Sequence, residues 1–201
     1  GADMTNHRER CTAVSIEEHR ILVIGGYGAG TILNTTEIFD VNTRSFTPGP
    51  NLLHGRTRCA TVALDAGRIL VVGGCDGSEL ATTEVLNVET MTATAGPNLS
   101  CAWTACAAVR LDARRALVIG GFDGRNCLNT TEVLDVEAMT FTPGPAMLSV
   151  RTGCTAVLLD SQHVLIAGGK SSYTTYLATT EVRFSFCFVE ERCQERCQQR
   201  Q

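Results

Sequence analysis

One type of segment occurs four times along the chain, at a nearly constant spacing. Each copy contains a short apolar run, a glycine pair, a polar loop and a Thr-Glu segment, as in RALVIGGFDGRNCLNTTEVLDV at residues 115–136. The glycine pairs lie at 25/26, 73/74, 120/121 and 168/169, so the period is 48, 47 and 48 residues. Because Gly accepts a positive φ and lets a neighbouring backbone approach, we expect each pair to form a turn and to allow close packing. Self-similarity at such a period is typical of repeat architectures, in which each unit packs against its neighbours.

Each repeat predicts four short strands and no helix. In the second repeat, residues 59–64 are small and apolar, residues 69–74 form a continuous apolar run, and residues 83–88 carry apolar side chains at adjacent positions. A fourth strand, at residues 45–47 or 140–142 of other repeats, runs into Pro-Gly-Pro, which suits an outer edge. Strands that are apolar on both faces must be covered on both faces. A radial stack of four-stranded blades meets this requirement, because each blade lies between two others.

These features resemble the kelch repeat. The residues that carry the resemblance are the glycine pair, the Asp-Gly of residues 76–77 and 123–124, the Thr-Glu-Val segment, and the Pro-Gly-Pro followed by an arginine. The resemblance covers residues 1 to about 182. It implies an all-β, kelch-type β-propeller of four-stranded antiparallel blades, with the four repeats forming a partial or a four-bladed ring. It also implies that the protein binds another protein.

The repeats divide the chain into a propeller domain and a polar tail. We expect the propeller over residues 1–189, with repeats at about 8–55, 56–102, 103–150 and 151–189, and the tail over 190–201. Residues 184–189 can form an edge strand of the last repeat. The chain begins within a connection between two units, so we expect either that it was cut from a longer array or that the ring is closed by pairing of its ends. Companion domains in a longer chain are also compatible with the sequence.

Charge and hydropathy restrict the kinds of partner. The net charge is -4, which gives no long-range attraction to nucleic acid or to a membrane surface. No apolar run approaches the length of about 18 residues that a membrane span needs. Residues 1–10 are polar and lack the apolar core of a secretory signal. We therefore expect a cytoplasmic protein without a nucleic-acid or membrane partner.

Two columns of repeated residues favour structural roles. A cysteine opens the first strand of each repeat, and we expect it to be a small buried residue, although a ring-like metal site or disulfides remain open. A glutamate follows Thr-Thr in each third strand, and a buried carboxylate needs a compensating partner. We expect that partner to be the base that opens each second strand. The residues concerned are Cys11, Cys59, Cys106 and Cys154, then Glu37, Glu84, Glu132 and Glu181, then Arg20, Arg68, Arg115 and His163.

Candidate binding residues fall in two sets of loops. In an antiparallel blade the start of strand one and the end of strand two lie at the same edge, so both sets share one face. Arginines and aromatic residues there are the types that carry binding hot spots. The loops after the glycine pairs carry Tyr27, Asp76, Glu79, Phe122, Asp123, Arg125, Lys170, Tyr173 and Tyr176. The residues that we predict to bind the partner are Arg8, Arg10, Arg56, Arg58, Trp103, Phe122, Asp123, Arg125 and Arg151.

One alternative applies to part of this set. Arg8, Arg56 and Arg151 share a repeat position, so they could instead bridge neighbouring blades through backbone carbonyls. Residues that differ between repeats are better candidates for recognition, since packing asks the same of every copy.

The sequence favours a binding module over an enzyme. The four histidines are scattered, and neither a nucleophile triad nor a metalloprotease motif occurs. We therefore expect a protein-interaction module without catalytic residues, cofactor or metal, which binds a protein or peptide with acidic groups. A propeller-class metal-dependent oxidase or lyase, and a non-functional fragment of a longer kelch protein, are the alternatives.

Overall fold

The computed structural model describes residues 2–184 of the chain. Over that range the chain forms β-strands and loops, without a helix, and the predicted all-β propeller class is confirmed. Accordingly, residues 2–184 contain no helix that is long and apolar enough to cross a membrane. The continuation of the predicted edge strand at residues 185–189, and the predicted tail at 190–201, lie outside the described residues.

Four antiparallel sheets follow one another along the chain, and each is one blade. Blade 1 consists of β1 (Thr12–Glu17), β2 (Arg20–Ile24), β5 (Thr36–Asp40) and β6 (Ser45–Pro48), with a small hairpin of β3 (Tyr27–Gly28) and β4 (Thr31–Ile32) between β2 and β5. Blade 2 consists of β7 (Ala60–Ala63), β8 (Arg68–Val72), β9 (Thr83–Asn87) and β10 (Thr92–Ala95). Blade 3 consists of β11 (Ala107–Arg110), β12 (Arg115–Ile119), β13 (Thr131–Asp135) and β14 (Thr140–Pro143). Blade 4, within the described range, consists of β15 (Thr155–Leu158), β16 (His163–Ala167) and β17 (Thr180–Phe184).

The strands of each blade pair in chain order, from the axis outwards. The first strands β1, β7, β11 and β15 are neighbours in that order, so they form the inner layer. In blade 2, for example, Thr61 lies opposite Val71, and Val71 lies opposite Glu84. This arrangement is the predicted stack of antiparallel blades.

Apolar side chains from adjacent blades fill the space between them. Leu70 and Val71 follow each other in β8, so they point to opposite faces, and both are fully buried. Leu70 belongs to a cluster with Val118 of blade 3, whereas Val71 belongs to a cluster with Leu22 of blade 1. A third cluster joins blade 3 to blade 4. Each fully buried aliphatic side chain contributes about 1.5–3 kcal/mol, so the blades stabilise one another.

The glycine pair brings each blade close to the next. Gly73 has a φ of +57°, and a Cβ atom there would lie 2.1 Å from the carbonyl oxygen of Trp103 in the following blade. Its neighbour Gly74 donates a backbone hydrogen bond of 2.9 Å to the same oxygen. A side chain would prevent this approach, which confirms the predicted turn and packing role of the pair.

A ladder of backbone hydrogen bonds also links the blades near the axis. The amide of Arg58 donates to the carbonyl of Arg10 at 2.9 Å, that of Ala105 to Arg58 at 2.8 Å, and that of Gly153 to Ala105 at 2.8 Å. All four residues have positive φ, from 52° to 63°. We call this series the axial ladder. It fixes the segment that enters each inner strand.

Candidate functional site

The segment before the first strand of each blade lies against the loop after its second strand. In blade 2 the backbones of Thr57 and Cys75 exchange two hydrogen bonds, with N···O distances of 3.0 and 2.9 Å. An equivalent bridge joins Thr104 to Phe122 in blade 3. The structure therefore brings the two sets of loops onto one face, as expected for antiparallel strands. We call the surface formed by these two sets of loops the loop face.

The arginines of the repeated column point into the blade and are buried. The side chain of Arg56 has 0% exposure and donates to the carbonyl oxygens of Gly73 at 2.8 Å and Thr82 at 3.1 Å. It also binds the Glu84 carboxylate at 2.5 Å. Arg8 and Arg151 have the same types of partner, a glycine and a threonine carbonyl together with Glu37 and Glu181, respectively. These guanidinium groups hold the loop in place within their own blade.

Three of the four glutamates of the column, Glu37, Glu84 and Glu181, are therefore bound by these arginines. In blade 2, Glu84 also accepts backbone hydrogen bonds from Leu53 and His54. In blade 1, burial tends to raise the pKa of Glu37, but the hydrogen bonds from the Thr5 amide and from Arg8 outweigh it and leave this pKa below its ordinary value. The same balance of causes lowers the pKa of Glu181 in blade 4.

The predicted pairing of these glutamates with Arg20, Arg68, Arg115 and His163 is wrong. Arg68 binds Asp65 at 2.7 Å, Arg115 binds Asp112 at 2.6 Å, and His163 binds Asp160 at 2.8 Å. Each of these partners is only three residues away, in the turn between the first and second strands. Arg20 lies opposite Asp40 in the sheet register, whereas Glu37 lies opposite Val23.

Trp103 replaces the arginine in blade 3, and it is also buried. Its side chain is fully inaccessible, packs in the cluster between blades 2 and 3, and donates from Nε1 to the Cys101 sulfur at 2.8 Å. Four of the nine predicted binding residues, namely Arg8, Arg56, Trp103 and Arg151, thus lie in the interior. A partner cannot contact them on the folded protein.

The other five predicted residues are accessible on the loop face. Arg10, Arg58 and Arg125 are exposed, and Phe122 and Asp123 are half-buried. The Asp123 carboxylate accepts hydrogen bonds from the backbone amides of Asn126 at 2.6 Å and Arg125 at 2.8 Å. These bonds lower its pKa and give Asp123 a turn-forming role, so it shapes the loop that carries Arg125.

A cavity of about 960 Å³ lies on the loop face, between blades 2, 3 and 4. Three of the predicted residues line it: Arg58, Phe122 and Arg125. Arg10, in blade 1, does not. The remaining charged and aromatic residues of its wall are Glu79, Lys170, Tyr173 and Tyr176. All four lie in the loops after the glycine pairs. The sequence indicates them as candidates because they are charged or aromatic residues in these loops.

Aromatic rings are already arranged on the wall of this cavity. Phe122 and Tyr173 meet edge to face, with ring centroids 5.6 Å apart and an angle of 71°. The Lys170 ammonium lies 4.4 Å from the centroid of the Tyr176 ring. Both tyrosines remain largely exposed. Such a wall offers π-faces, phenolic hydroxyl groups and positive charge to a ligand.

The thiols near the axis and in the cavity are not activated. Burial raises the pKa of Cys59 and of Cys106 to about 12, and burial also raises the pKa of Cys127 on the cavity wall. Each is therefore a protonated thiol at neutral pH and a weak nucleophile. Within residues 2–184, no group of three His, Cys, Asp or Glu side chains is placed to hold a metal ion.

Repeated four-stranded sheets stacked around an axis, with variable loops on one face, define a repeat β-propeller. A family model for the Kelch motif matches residues 7–53, 56–92 and 104–148, which is more than half of the chain. The chain therefore belongs to the kelch family, whose propellers generally serve as non-enzymatic modules for protein–protein interaction. Blade 4 shares the fold, although it lies beyond the matched residues. No curated protein matches the chain significantly.

Proposed function

We propose that this chain is a protein-interaction module that binds an acidic segment of a partner protein in the cavity between blades 2, 3 and 4. The observation that carries the proposal is the combination, on one cavity wall, of three cationic side chains with three aromatic rings. Kelch propellers generally bind proteins, which agrees with this proposal.

Charge favours an acidic ligand. The chain as a whole carries a net charge of -4, but among the described residues of the cavity wall Arg58, Arg125 and Lys170 face only one acid, Glu79. Local positive charge on a negative protein attracts a carboxylate selectively to that place. Arginine also binds a carboxylate through two parallel hydrogen bonds, which fixes its orientation.

The size of the cavity favours a peptide segment. At about 960 Å³, it lies at the upper end of the roughly 300–1,000 Å³ range of ligand pockets. An extended segment of several residues can place acidic side chains on the arginines and apolar ones on Phe122, Tyr173 and Tyr176. Aromatic residues and arginine supply most hot-spot energy at such interfaces.

The differences between blades support recognition at this place. The column of Arg8, Arg56 and Arg151 repeats and is buried, whereas the cavity residues in the loops after the glycine pairs, such as Glu79, Arg125 and Tyr173, differ from one blade to the next. A repeated residue satisfies the fold, and a residue found once is free to fit a ligand.

We also assign the module to the cytoplasm, because the cysteines of residues 2–184 are free thiols, as in a reducing compartment.

A random peptide library displayed on phage tests the proposal. We expect selection on the full chain to enrich peptides that combine Asp or Glu with apolar residues. The double variant Arg58→Ala, Arg125→Ala should bind these peptides at least about tenfold more weakly, which corresponds to about 1.4 kcal/mol.

The matched control changes two exposed arginines at the opposite edge of the blades. Arg44 and Arg114 lie in turns after third and first strands, respectively, and both are exposed. The double variant Arg44→Ala, Arg114→Ala should bind as the unmodified chain does. Equal weakening by both double variants, or none by either, would refute the site.

A further inference from the structure

The two end blades of the propeller expose faces that are buried everywhere else. In the first three blades the face towards the following blade buries Ile16, Leu64 and Leu111, each 4% exposed, whereas the equivalent Leu159 of blade 4 is 54% exposed. Its neighbour Val157 is similarly exposed. We call this surface of blade 4, with Val157, Leu159 and Val182, the trailing face.

Blade 1 shows the complementary exposure on its other side. Val88 and Val136, which face the preceding blade, are 5% and 8% exposed, whereas the equivalent Val41 is 44% exposed. Ile21 of the same face is also exposed. We call this surface of blade 1, with Ile21 and Val41, the leading face. Within residues 2–184, apolar clusters join blade 1 to 2, 2 to 3 and 3 to 4, and none joins 4 to 1.

The backbone hydrogen bonds between blades stop at the same two surfaces. Gly26 donates to the carbonyl of Arg56 at 2.9 Å, and Gly121 donates to that of Arg151 at 2.7 Å. Among the described residues, the equivalent amide of Gly169 has no such acceptor, and the carbonyl of Arg8 has no such donor.

The axial ladder ends in the same way. Within residues 2–184 it runs from Arg10 to Gly153, and no bond joins the Gly153 carbonyl back to the Arg10 amide. A Cβ atom at Gly168 would meet only the Leu177 carbonyl, at 3.7 Å, whereas at Gly120 it would lie 2.4 Å from the backbone of the next blade. The last blade therefore lacks the neighbour that each of the first three has.

The trailing and leading faces are the two halves of one interface, which the chain forms three times within itself. Apolar side chains match apolar side chains, the Gly169 amide matches the Arg8 carbonyl, and the Gly153 carbonyl matches the Arg10 amide. Both halves are exposed in the same molecule, so they do not cover each other. A second copy of the chain presents both halves in the required form.

We propose that two copies of the chain join head to tail, the trailing face of each on the leading face of the other, and complete one eight-bladed ring. A contact between two different surfaces closes when the rotation returns to the start, and two copies then make two identical joints. Eight blades lie within the usual range of four to eight for a propeller. Closure buries both apolar surfaces and satisfies the backbone groups at each end.

Light scattering on the full chain in reducing buffer tests this assembly. We expect twice the 21.5 kDa mass of one chain, and reducing conditions exclude dimers linked through the cysteines. Leu159→Arg on the trailing face and Ile21→Arg on the leading face should each give the mass of one chain, because each places a charge in both joints. Both positions are exposed in the single chain, and circular dichroism verifies that the variants fold.

Mixing the two variants distinguishes a head-to-tail joint from any symmetric contact. One joint of the mixed pair combines two unmodified faces, so we expect a dimer with one copy of each variant. Leu53→Arg is the control. Leu53 is 49% exposed, but it lies in the segment that connects β6 of blade 1 to β7 of blade 2 and on neither end face. This variant should therefore remain dimeric. A single-chain mass for the unmodified protein, or variants that remain dimeric, would overturn the proposal. A mixture that stays monomeric would overturn the head-to-tail geometry.

Discussion

Three of the four repeated glutamates are held by an arginine, and Glu132 is not. Trp103 occupies the arginine position in blade 3, so Glu132 relies on the amide and hydroxyl groups of Ser100. Its second oxygen, Oε2, is buried and has no hydrogen-bond partner among the described residues. Equivalent carboxylates therefore lie in two different environments within one fold. Glu132 of blade 3 can be compared directly with an arginine-bound glutamate such as Glu84 of blade 2.

This contrast predicts unequal costs for the same substitution. Glu84→Gln leaves the buried Arg56 guanidinium without its counter-charge, and we expect a loss of about 3–5 kcal/mol in the free energy of unfolding. Glu132→Gln strands no cation and removes a carboxylate that is only partly bound, so we expect a loss below about 1.5 kcal/mol. Urea titration of both variants measures the difference. Equal losses would contradict the assigned ion pairs.

At the residue level, the sequence identifies the repeated positions but not the residues with which they interact. The glycine pairs were interpretable because a turn and a close approach require that residue type at a fixed position. The partners of the glutamates could not be predicted in this way. A repeated position shows which residue type recurs, but it does not show which other repeated position that residue contacts in the fold. The local signal was an aspartate three residues before Arg68, Arg115 and His163, which already supplies a counter-charge for each base.

At the scale of elements, strands are more predictable than loops. The four strands of a blade follow from apolar runs between turn residues, and the predicted positions agree with β7, β8 and β9. The cavity depends on which loops approach one another, and on whether a side chain points outwards. That direction separates the exposed Arg58 from the buried Arg56, although both precede the same inner strand.

The loop between β16 and β17 supplies much of the cavity wall. Residues 170–177 can be replaced by the sequence of residues 75–80, because both loops close with the same bond, from Leu177 to Gly169 and from Leu80 to Gly74, each at 2.9 Å. The graft removes Lys170 and both cavity tyrosines, so we expect peptide binding to fall at least about tenfold. Both tyrosines are largely exposed and Lys170 is half-buried, so the free energy of unfolding should change by less than about 1 kcal/mol.

The same graft in blade 1 is the control for this experiment. Residues 27–33 close through an equivalent bond from Leu33 to Gly26 at 2.8 Å, but they do not line the cavity. Binding to the selected peptides should be unchanged. If the blade 1 graft weakens binding as much as the blade 4 graft, the ligand contacts a different part of the loop face.

At the scale of the whole molecule, the sequence left a partial and a four-bladed ring open. The number of repeats can be counted in the amino-acid sequence. Whether the blades close into a ring depends on the rotation from one blade to the next, and no residue pattern in the sequence predicts that rotation. The structure shows four blades with three joints and, within residues 2–184, two apolar end faces that do not meet. Within these residues each end blade is packed on one side only, and its stability depends on what covers the other side.

This dependence predicts that thermal stability changes with protein concentration. If two copies form the ring and unfold to single chains, a higher concentration favours the folded pair, and Tm rises by mass action. For a chain of this size we expect a few degrees for each tenfold increase in concentration, in line with about 2–4 °C per kcal/mol. Leu159→Arg should abolish the dependence, and Leu53→Arg should retain it. Calorimetry over a hundredfold concentration range measures the slope, and a Tm that is independent of concentration in the unmodified chain would show that its end blades need no second copy.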